Sequence, residues 1–255
     1  MPENSPNGRV TLSDFYQRVR SQTVSLNERI SYFAAGQPLT EEDLRDYLED
    51  PLAALPPSVE PLLANTTVLL VPFLERTNGK SGGGDPDSVL AAFEAPPEGR
   101  DLRSLRWADG ERLVVALAID DMEVAEYHYE LYRHLASHIA ASCPEEKLAG
   151  YLGTIREELS NHMHGEVDED SWQRKQQLLR RQTGATRDSK ALREYARQSF
   201  VDTLTLYLHG ICCDIDVETG PRQLPSRYLR KRLKLIREMF PPPSGYAVFP
   251  EELDR

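Results

Sequence analysis

A polar stripe along one predicted helix carries side chains that can coordinate a metal ion. Its members are Asp202, Thr205, His209, Cys212 and Asp216. They are separated by three or four residues, so they share one face of an α-helix. Residues 200–213 are otherwise mostly apolar, as expected of a buried helix. Carboxylate, imidazole and thiolate groups on one face are ligands that divalent transition metals accept.

A second predicted helix carries a matching stripe. Glu130, His134 and His138 are spaced by four residues and also share one face. If helices 120–142 and 189–213 face each other, a divalent transition metal can bind between them, as in bundles whose ligands project inward. The candidate ligands under this hypothesis are Glu130, His134, His138, Asp202 and His209. This metal site is the alternative: the preferred interpretation is that both stripes are hydrogen-bonded contacts with neighbouring helices, so no cofactor is expected.

Motifs of common enzyme classes do not occur in the chain. Leu135 stands between His134 and His138 where the zinc-protease pattern needs a glutamate base. The glycine run at 82–84 is not followed by a phosphate-binding Gly-Lys-Ser/Thr sequence, and a G-x-S-x-G elbow is absent. A third polar cluster, His162 to Glu166, lies at a predicted helix end, where histidines suit the helix dipole. We therefore assign no catalytic residue and leave open whether the protein is an enzyme.

Charge is divided unevenly along the chain. Residues 173–240 hold 15 Lys and Arg against 7 Asp and Glu, although the whole chain has a formal net charge of −11. The most basic segment is 226–240, where Leu229, Leu233 and Ile236 also form an apolar stripe at helical spacing. Such a basic amphipathic helix can bind phosphate or an acidic protein surface. The predicted partner-binding residues are Arg227, Arg230, Lys231, Arg232, Lys234 and Arg237.

Other interpretations of this basic segment stay open. Its charges can form a solvated face, or they can pair with acidic clusters of the same chain, such as those at 41–50 and 166–170. A helix-turn-helix is not indicated, because about a dozen residues separate the last two predicted helices, whereas that motif uses three or four. Nucleic acid and acidic protein therefore both remain candidate partners.

Length and composition are those of a globular protein. The chain has 255 residues, 40% hydrophobic and 28% charged, which suffices for one large domain or two small ones. Its N-terminus lacks the pattern of a signal peptide, and no apolar stretch is long enough to predict a membrane span. Three cysteines, Cys143, Cys212 and Cys213, make a poor disulfide framework. These features predict a cytoplasmic protein.

The hydrophobic periodicity predicts an α+β fold, mostly helical, with a small antiparallel sheet inserted after an N-terminal helical segment. Five segments are expected to form one compact unit, and a two-part organisation stays open. The segments are a flexible tail at 1–9, the helical segment at 10–65, the sheet at 66–119, a helical part at 120–240 and a Pro-rich tail at 241–255.

Three local patterns sharpen this prediction. Helical spacing at Leu26, Ile30 and Phe33 continues the first predicted helix. Pro72, inside the apolar run 67–74, indicates an edge strand or a bulge. Asp109-Gly110 between two apolar runs predicts a hairpin whose second strand is central in the sheet. Val248 and Phe249 near the C-terminus are expected to pack back onto the protein.

The leading functional hypothesis is a non-enzymatic regulatory or assembly protein. Its basic C-terminal helices would contact an anionic partner, either an acidic protein or a nucleic acid. The alternative is a metal-dependent enzyme or metal-binding protein with its site between helices 120–142 and 189–213. The sequence leaves the reaction, the identity of the partner and the oligomeric state open.

Overall fold

The computed structural model has an α+β fold, which confirms the predicted fold class. The described residues are 9–36, 39–63, 65–77, 84–120, 122–180, 188–213 and 224–249. Apart from Arg9, the predicted N-terminal tail lies outside these ranges. The chain divides into two compact units. Unit 1 comprises Met1–Pro51 and Leu63–His134, and unit 2 comprises Leu52–Leu62 and Leu135–Arg255.

Strands and helices follow one another along the chain as follows. The described strands are β1 (Val10–Thr11), β2 (Val24–Ser25), β3 (Ile30–Ala34), β4 (Asn65–Val71), β5 (Phe73–Arg76), β6 (Val89–Ala92), β7 (Asp101–Leu102), β8 (Ser104–Asp109) and β9 (Arg112–Ala118). The described α-helices are α1 (Leu12–Val19), α2 (Glu41–Leu44), α3 (Asp50–Ala53), α4 (Val124–Ser142), α5 (Glu145–Ser160), α6 (Glu169–Arg180), α7 (Lys190–Cys212) and α8 (Ser226–Met239). A π-helical turn, Arg45–Glu49, joins α2 to α3.

The larger sheet of unit 1 is mixed. Its strand order is β2-β3-β4-β9-β8. The ladders β3–β4 and β4–β9 are parallel, and the two outer ladders are antiparallel. Six of the seven residues of β4 and of β9 are buried, as expected of strands covered on both faces. The expectation that the sheet is antiparallel is therefore wrong for its centre.

The predicted hairpin and the central position of its second strand are confirmed. Strands β8 and β9 pair from Ser104↔Leu117 to Asp109↔Arg112, and β9 also pairs with β4. Gly110 opens the two-residue loop with a φ of 60°, a conformation that L side chains adopt with strain. Glycine at this first loop position is typical of type II′ hairpin turns.

The predicted N-terminal helix is shorter than its spacing indicated. Helix α1 ends at Val19, and the residues expected to continue it form β2 and β3 instead. The Asn27 side chain organises the turn between them, since Oδ1 accepts hydrogen bonds from the backbone N–H groups of Arg29 and Ile30 at 2.9 and 2.8 Å. Pairing of β3 with a buried strand outweighs local helical spacing, which is a weak preference.

Pro72 marks a change of sheet rather than an edge strand. Strand β4 pairs with β3 on one side and with β9 on the other, so it is not an edge strand. Pro72 follows the last residue of β4 and precedes the first residue of β5. Strand β5 belongs to the smaller sheet of unit 1, which is antiparallel and has the order β1-β6-β5-β7. A proline there ends one ladder without removing a donor from it. The core of unit 1 packs α1 against residues of both sheets, including Leu69, Leu74 and Val114.

The described part of unit 2 consists of helices and connecting segments. The predicted helices after residue 120 are confirmed as α4 to α8, and α4 contains the division between the units at His134 and Leu135. Ser189 caps α7 by accepting from the Leu192 N–H at 3.1 Å. Val248 and Phe249 are buried, which confirms that prediction. None of the helices within the described ranges combines the length and hydropathy needed to cross a bilayer.

Helix α5 ends in a turn that requires a left-handed residue. The Met163 N–H donates to the Glu158 carbonyl at 3.0 Å and the His162 N–H to the Leu159 carbonyl at 3.1 Å, the two bonds of a Schellman motif. His162 occupies the left-handed position, with a φ of 52°. Glycine is preferred there because any Cβ raises the energy of this conformation.

We predict that His162→Gly stabilises the protein. Removing the Cβ relieves about 1 kcal/mol of left-handed strain, partly offset by the greater freedom of glycine in the unfolded chain. The expected net gain is about 0.5 kcal/mol, measured as a shift in the urea midpoint of helical circular dichroism. His162→Ala is the control, because it removes the imidazole but keeps the Cβ. Equal midpoints for the two variants would show that the imidazole, and not the backbone, matters.

Candidate functional site

Helix α8 presents two different faces. Leu229, Leu233 and Ile236 are buried and hold the helix against unit 2. The opposite side is exposed and is called the α8 basic face below. It consists of Arg227, Arg230, Lys231 and Lys234. Arg230 and Lys231 follow Arg227 by three and four residues, and Lys234 follows them by four and three. The four cations therefore lie along one side of the helix.

Arg232 belongs to the buried side, which corrects its place among the predicted partner-binding residues. Its side chain has 0% exposure, so a partner on the surface does not reach it. It follows Leu229 by three residues and precedes Ile236 by four, which puts it on their face. Arg237, also predicted to contact the partner, is half-buried.

The buried guanidinium uses all of its donors. Nε donates to Glu158 Oε1 and Oε2 at 3.1 and 3.0 Å. Nη2 donates to Glu158 Oε2 at 2.5 Å and to Glu166 Oε1 at 3.1 Å. Nη1 donates to Glu166 Oε2 at 2.8 Å and to Ser199 Oγ at 2.9 Å. The planar fork of arginine suits such paired contacts with carboxylates.

Two more buried side chains complete what we call the Arg232 cluster. Lys175 Nζ lies 3.7 Å from Glu166 Oε1 and donates to the Gly165 carbonyl at 2.9 Å. The Tyr195 hydroxyl donates to the same carboxylate. The cluster comprises Glu158, Glu166, Lys175, Tyr195, Ser199 and Arg232. Its two cations and two carboxylates balance, as buried charges require.

Electrostatics keep the cluster ionised. Burial alone would raise the pKa of Glu166, but the Arg232 guanidinium and the Lys175 ammonium hold it below its usual value. Burial lowers the pKa of Lys175 and Arg232 adds to this, while the Glu166 carboxylate opposes both. Burial and the Glu166 carboxylate raise the pKa of Tyr195 well above its usual value, so its hydroxyl stays protonated and able to donate.

On the α8 basic face, both arginines are placed over aromatic rings. The Arg227 guanidinium carbon lies 4.7 Å from the centroid of Tyr228, and that of Arg230 lies 5.2 Å from the centroid of Phe249. Lys231 pairs with Glu157 across 2.6 Å, and both side chains are exposed. Stacking uses the flat face of a guanidinium and leaves N–H donors at its edge for an oxygen ligand.

Two members of the Glu130–His138 stripe contact a strand residue in unit 1. The Ser104 hydroxyl, at the start of β8, is bonded to Glu130 Oε2 and lies 2.8 Å from His134 Nε2. Arg133 Nη2 donates to Glu130 Oε2 at 2.7 Å. Ser104 and His134 are buried. Nothing in the local sequence indicates that Ser104 joins the two stripe residues.

The hydrogen bonds of Ser104 run in the opposite direction from those of a nucleophilic serine. Because the Ser104 hydroxyl donates its proton to Glu130, His134 Nε2 acts as the donor to Ser104 Oγ. Burial, together with the positive charges of Arg133 and Arg106, lowers the pKa of His134 well below its usual value, so the ring is neutral. A general base would need the reverse direction, with the hydroxyl donating to the imidazole.

Asp202, from the other stripe, caps helix α6. Its Oδ2 accepts from the Ser171 N–H in the first turn of α6 at 3.1 Å, and its Oδ1 accepts from Gln198 Nε2 at 2.8 Å. An acidic side chain at a helix N-terminus is favourable. Burial nevertheless raises the pKa of Asp202 to about 6, against the effect of these hydrogen bonds.

The remaining predicted metal ligands are half-buried. These are His138 and His209, both in unit 2 with Asp202, whereas Glu130 and His134 belong to unit 1. Asp216, the last member of the longer stripe, lies outside the described residues. A metal ion bound by these side chains stays a prediction, and it would have to compete with Ser104 and Arg133 for Glu130 and with Ser171 for Asp202.

Sequence reasoning missed most of the Arg232 cluster, although spacing held a signal. Arg232 sits within the apolar stripe of α8, and Lys175 lies three residues from both Trp172 and Leu178. A charged residue at an apolar position of an amphipathic helix indicates a buried charge with partners. Nothing in the local sequence identifies Glu158 and Glu166 as those partners, because the contacts span 74 and 66 residues.

The geometry of these groups is the basis for inferring function. Comparisons with models of protein families, with curated proteins and with solved structures give no match.

We predict that Arg232→Met destabilises the protein by about 3–5 kcal/mol, because it leaves the buried Glu158 carboxylate without its cation and Glu166 with Lys175 alone. Arg230→Met is the matched control on the exposed side and should change stability by about 0.5 kcal/mol or less. Both are measured by urea denaturation followed by circular dichroism. Adding Glu158→Gln to Arg232→Met should recover part of the loss, because Lys175 and Glu166 then remain as a balanced pair. Equal midpoints for the two single variants would contradict the role of the cluster.

We predict that Asp202 makes stability fall as pH rises. Its folded pKa of about 6 exceeds the ordinary 3.8, so the folded state favours the protonated form. The contribution of Asp202 to the free energy of unfolding is fully present below about pH 4 and is lost as the pH rises through about 6 to 7. Asp202→Asn does not titrate and should gain on the order of 2–3 kcal/mol relative to the unmodified protein between pH 4 and 7. Parallel pH profiles of the two proteins would refute this assignment.

Proposed function

We propose that this is a non-enzymatic regulatory or assembly protein that binds an anionic partner through the α8 basic face. The observation that carries the proposal is the separation of the two sides of α8. One side is fixed in unit 2 by apolar residues and the buried Arg232, and the other presents four exposed cations. A helix held in this way binds without an ordering cost for its backbone, so that only the exposed side chains lose freedom.

The chemistry of the face suits phosphate or carboxylate oxygens. Arg227 and Arg230 are stacked on aromatic rings, which limits their motion, and Arg227 Nη2 also donates to the Tyr228 hydroxyl at 3.2 Å. Lys234 and Lys231 add point charges along the same side, although Lys231 already pairs with Glu157. Arginine clusters of this kind recognise acidic and phosphorylated groups.

The acidic net charge of the chain does not prevent such binding. Exposed charges are screened over roughly 8 Å at physiological ionic strength. A partner group in contact with α8 therefore senses the local cations more strongly than the net charge of −11. The net charge instead disfavours non-specific binding at a distance.

A cytoplasmic location is part of the same proposal. The three cysteines, two of them adjacent at 212 and 213, make a poor disulfide framework, which suits a reducing compartment.

We predict that charge reversal on the α8 basic face weakens binding to anionic probes. The variant is Arg227→Glu/Arg230→Glu/Lys234→Glu, and the probes are a DNA duplex, a single strand and poly-glutamate. If three phosphate contacts are lost, the negative slope of log affinity against log salt for the duplex should become shallower by about 3. Binding is measured by fluorescence anisotropy across a salt series.

The matched control reverses three exposed cations elsewhere, Arg18→Glu/Arg20→Glu/Lys190→Glu, and so changes the net charge equally. It should retain affinity. Equal losses in both triple variants would mean that net charge, and not this face, governs binding. Failure of all three probes to bind at low salt would overturn the proposal. The probe bound best distinguishes a nucleic-acid partner from an acidic protein.

A further inference from the structure

We propose that the groove between α5 and α7 in unit 2 binds a small amphipathic monocarboxylate. The groove encloses about 340 Å³, within the lower part of the range for small-molecule sites. It is separate from the α8 basic face, since no residue of that face lines it. The ligand inferred here has an apolar body and one carboxylate.

The apolar walls follow from helical spacing on two helices. Leu148 and Leu152 are four residues apart on α5, and Ala196 and Phe200 are four residues apart on α7. Each pair therefore projects from one face of its helix. Leu148 and Leu152 are half-buried, whereas Phe200 is completely buried and packs edge-on against Tyr151, with ring centroids 5.3 Å apart. A ligand would therefore contact mainly the two leucines, which suit an aliphatic chain or a single aromatic ring.

The charges that line the groove are unequally matched. Asp188 is neutralised by Arg193, through bonds of 3.1 Å from Nε and Nη2, and by Arg156, also at 3.1 Å. Arg197, in contrast, donates from Nη2 to a neutral acceptor, the Ala140 carbonyl, at 3.1 Å. An arginine bonded to a neutral acceptor retains its positive charge for an anion. We assign the ligand carboxylate to Arg197.

The start of α5 limits the negative charge that the groove accepts. Glu145, the first residue of α5, lines the groove, and Glu146 follows it in the same turn. These two carboxylates already occupy the end of the helix that favours negative charge. A second carboxylate on the ligand would meet this negative charge, so a monocarboxylate should bind better than a dicarboxylate.

The test uses ligands matched in length. Octanoate is the carboxylate, octanamide is its neutral counterpart, suberate is the dicarboxylate, and phenylpropionate replaces the chain with a ring. Binding to the full-length protein is followed by chemical-shift changes of methyl groups in Leu148 and Leu152. We expect saturable binding of octanoate with a Kd on the order of 1 mM, and weaker binding of octanamide and suberate.

Two variants locate the site. Arg197→Met should weaken octanoate binding about tenfold and leave octanamide unchanged, because only the charge contact is lost. Ala149→Trp, on the exposed rim of the groove, should block both ligands by filling the space. Lys190→Met, an exposed cation on the same helix, is the matched control and should bind as the unmodified protein does.

Each outcome decides the proposal. Saturable binding of octanoate that depends on Arg197 and is blocked at Ala149 supports it. Saturation by none of the four ligands overturns it, and so does octanoate binding that Arg197→Met leaves unchanged. The charge-reversed α8 variant should bind octanoate normally, so failure here and failure of the proposed function are distinguishable.

Discussion

Arg232 places a permanent positive charge where water does not reach it, and unit 2 is arranged so that this charge is neutralised. Its partners come from α5, α7 and the segment that precedes α6, while Lys175 of α6 contacts the same Glu166 carboxylate. A buried charge without partners costs several kcal/mol, so a rotation of any of these helices that broke the contacts would be unfavourable. Apolar packing alone tolerates such changes more easily, because it is not directional.

The orientation of α8 follows from this cluster. Since Arg232 must point inward, the residues two positions before it and after it are turned toward solvent. Arg230 and Lys234 occupy those positions, and Arg227 and Lys231 share their side. The buried arginine and the exposed cations are thus consequences of one helix rotation. We regard the cluster as the structural basis of the proposed binding face.

The two polar stripes show how one sequence pattern serves different structural purposes. Glu130 and His134 are engaged by the Ser104 hydroxyl in unit 1, and Asp202 caps α6 in unit 2. Both arrangements satisfy polar atoms that helix packing would otherwise bury without partners. Spacing places such residues on one face of a helix. It does not distinguish ligands of a metal from hydrogen-bond partners of a strand or of another helix.

The sequence by itself determined the features that depend on near neighbours. Periodicity located α4 to α8, Asp109-Gly110 located the β8–β9 hairpin, and segregation of charge located the basic helix. Each of these signals depends on residues within a few positions of one another, where backbone geometry fixes the spacing.

Only the tertiary structure decided the features that depend on distant residues. Residues 30–34 form a strand despite their helical spacing. Parallel pairing with the buried strand β4 satisfies their backbone hydrogen bonds and buries their side chains. Arg232 counted as a surface cation in the sequence and became a buried one once Glu158 and Glu166 were near it. Whether a charged side chain is buried depends on whether folding brings a partner to it, and residues 66 and 74 positions apart have no local signal of that proximity.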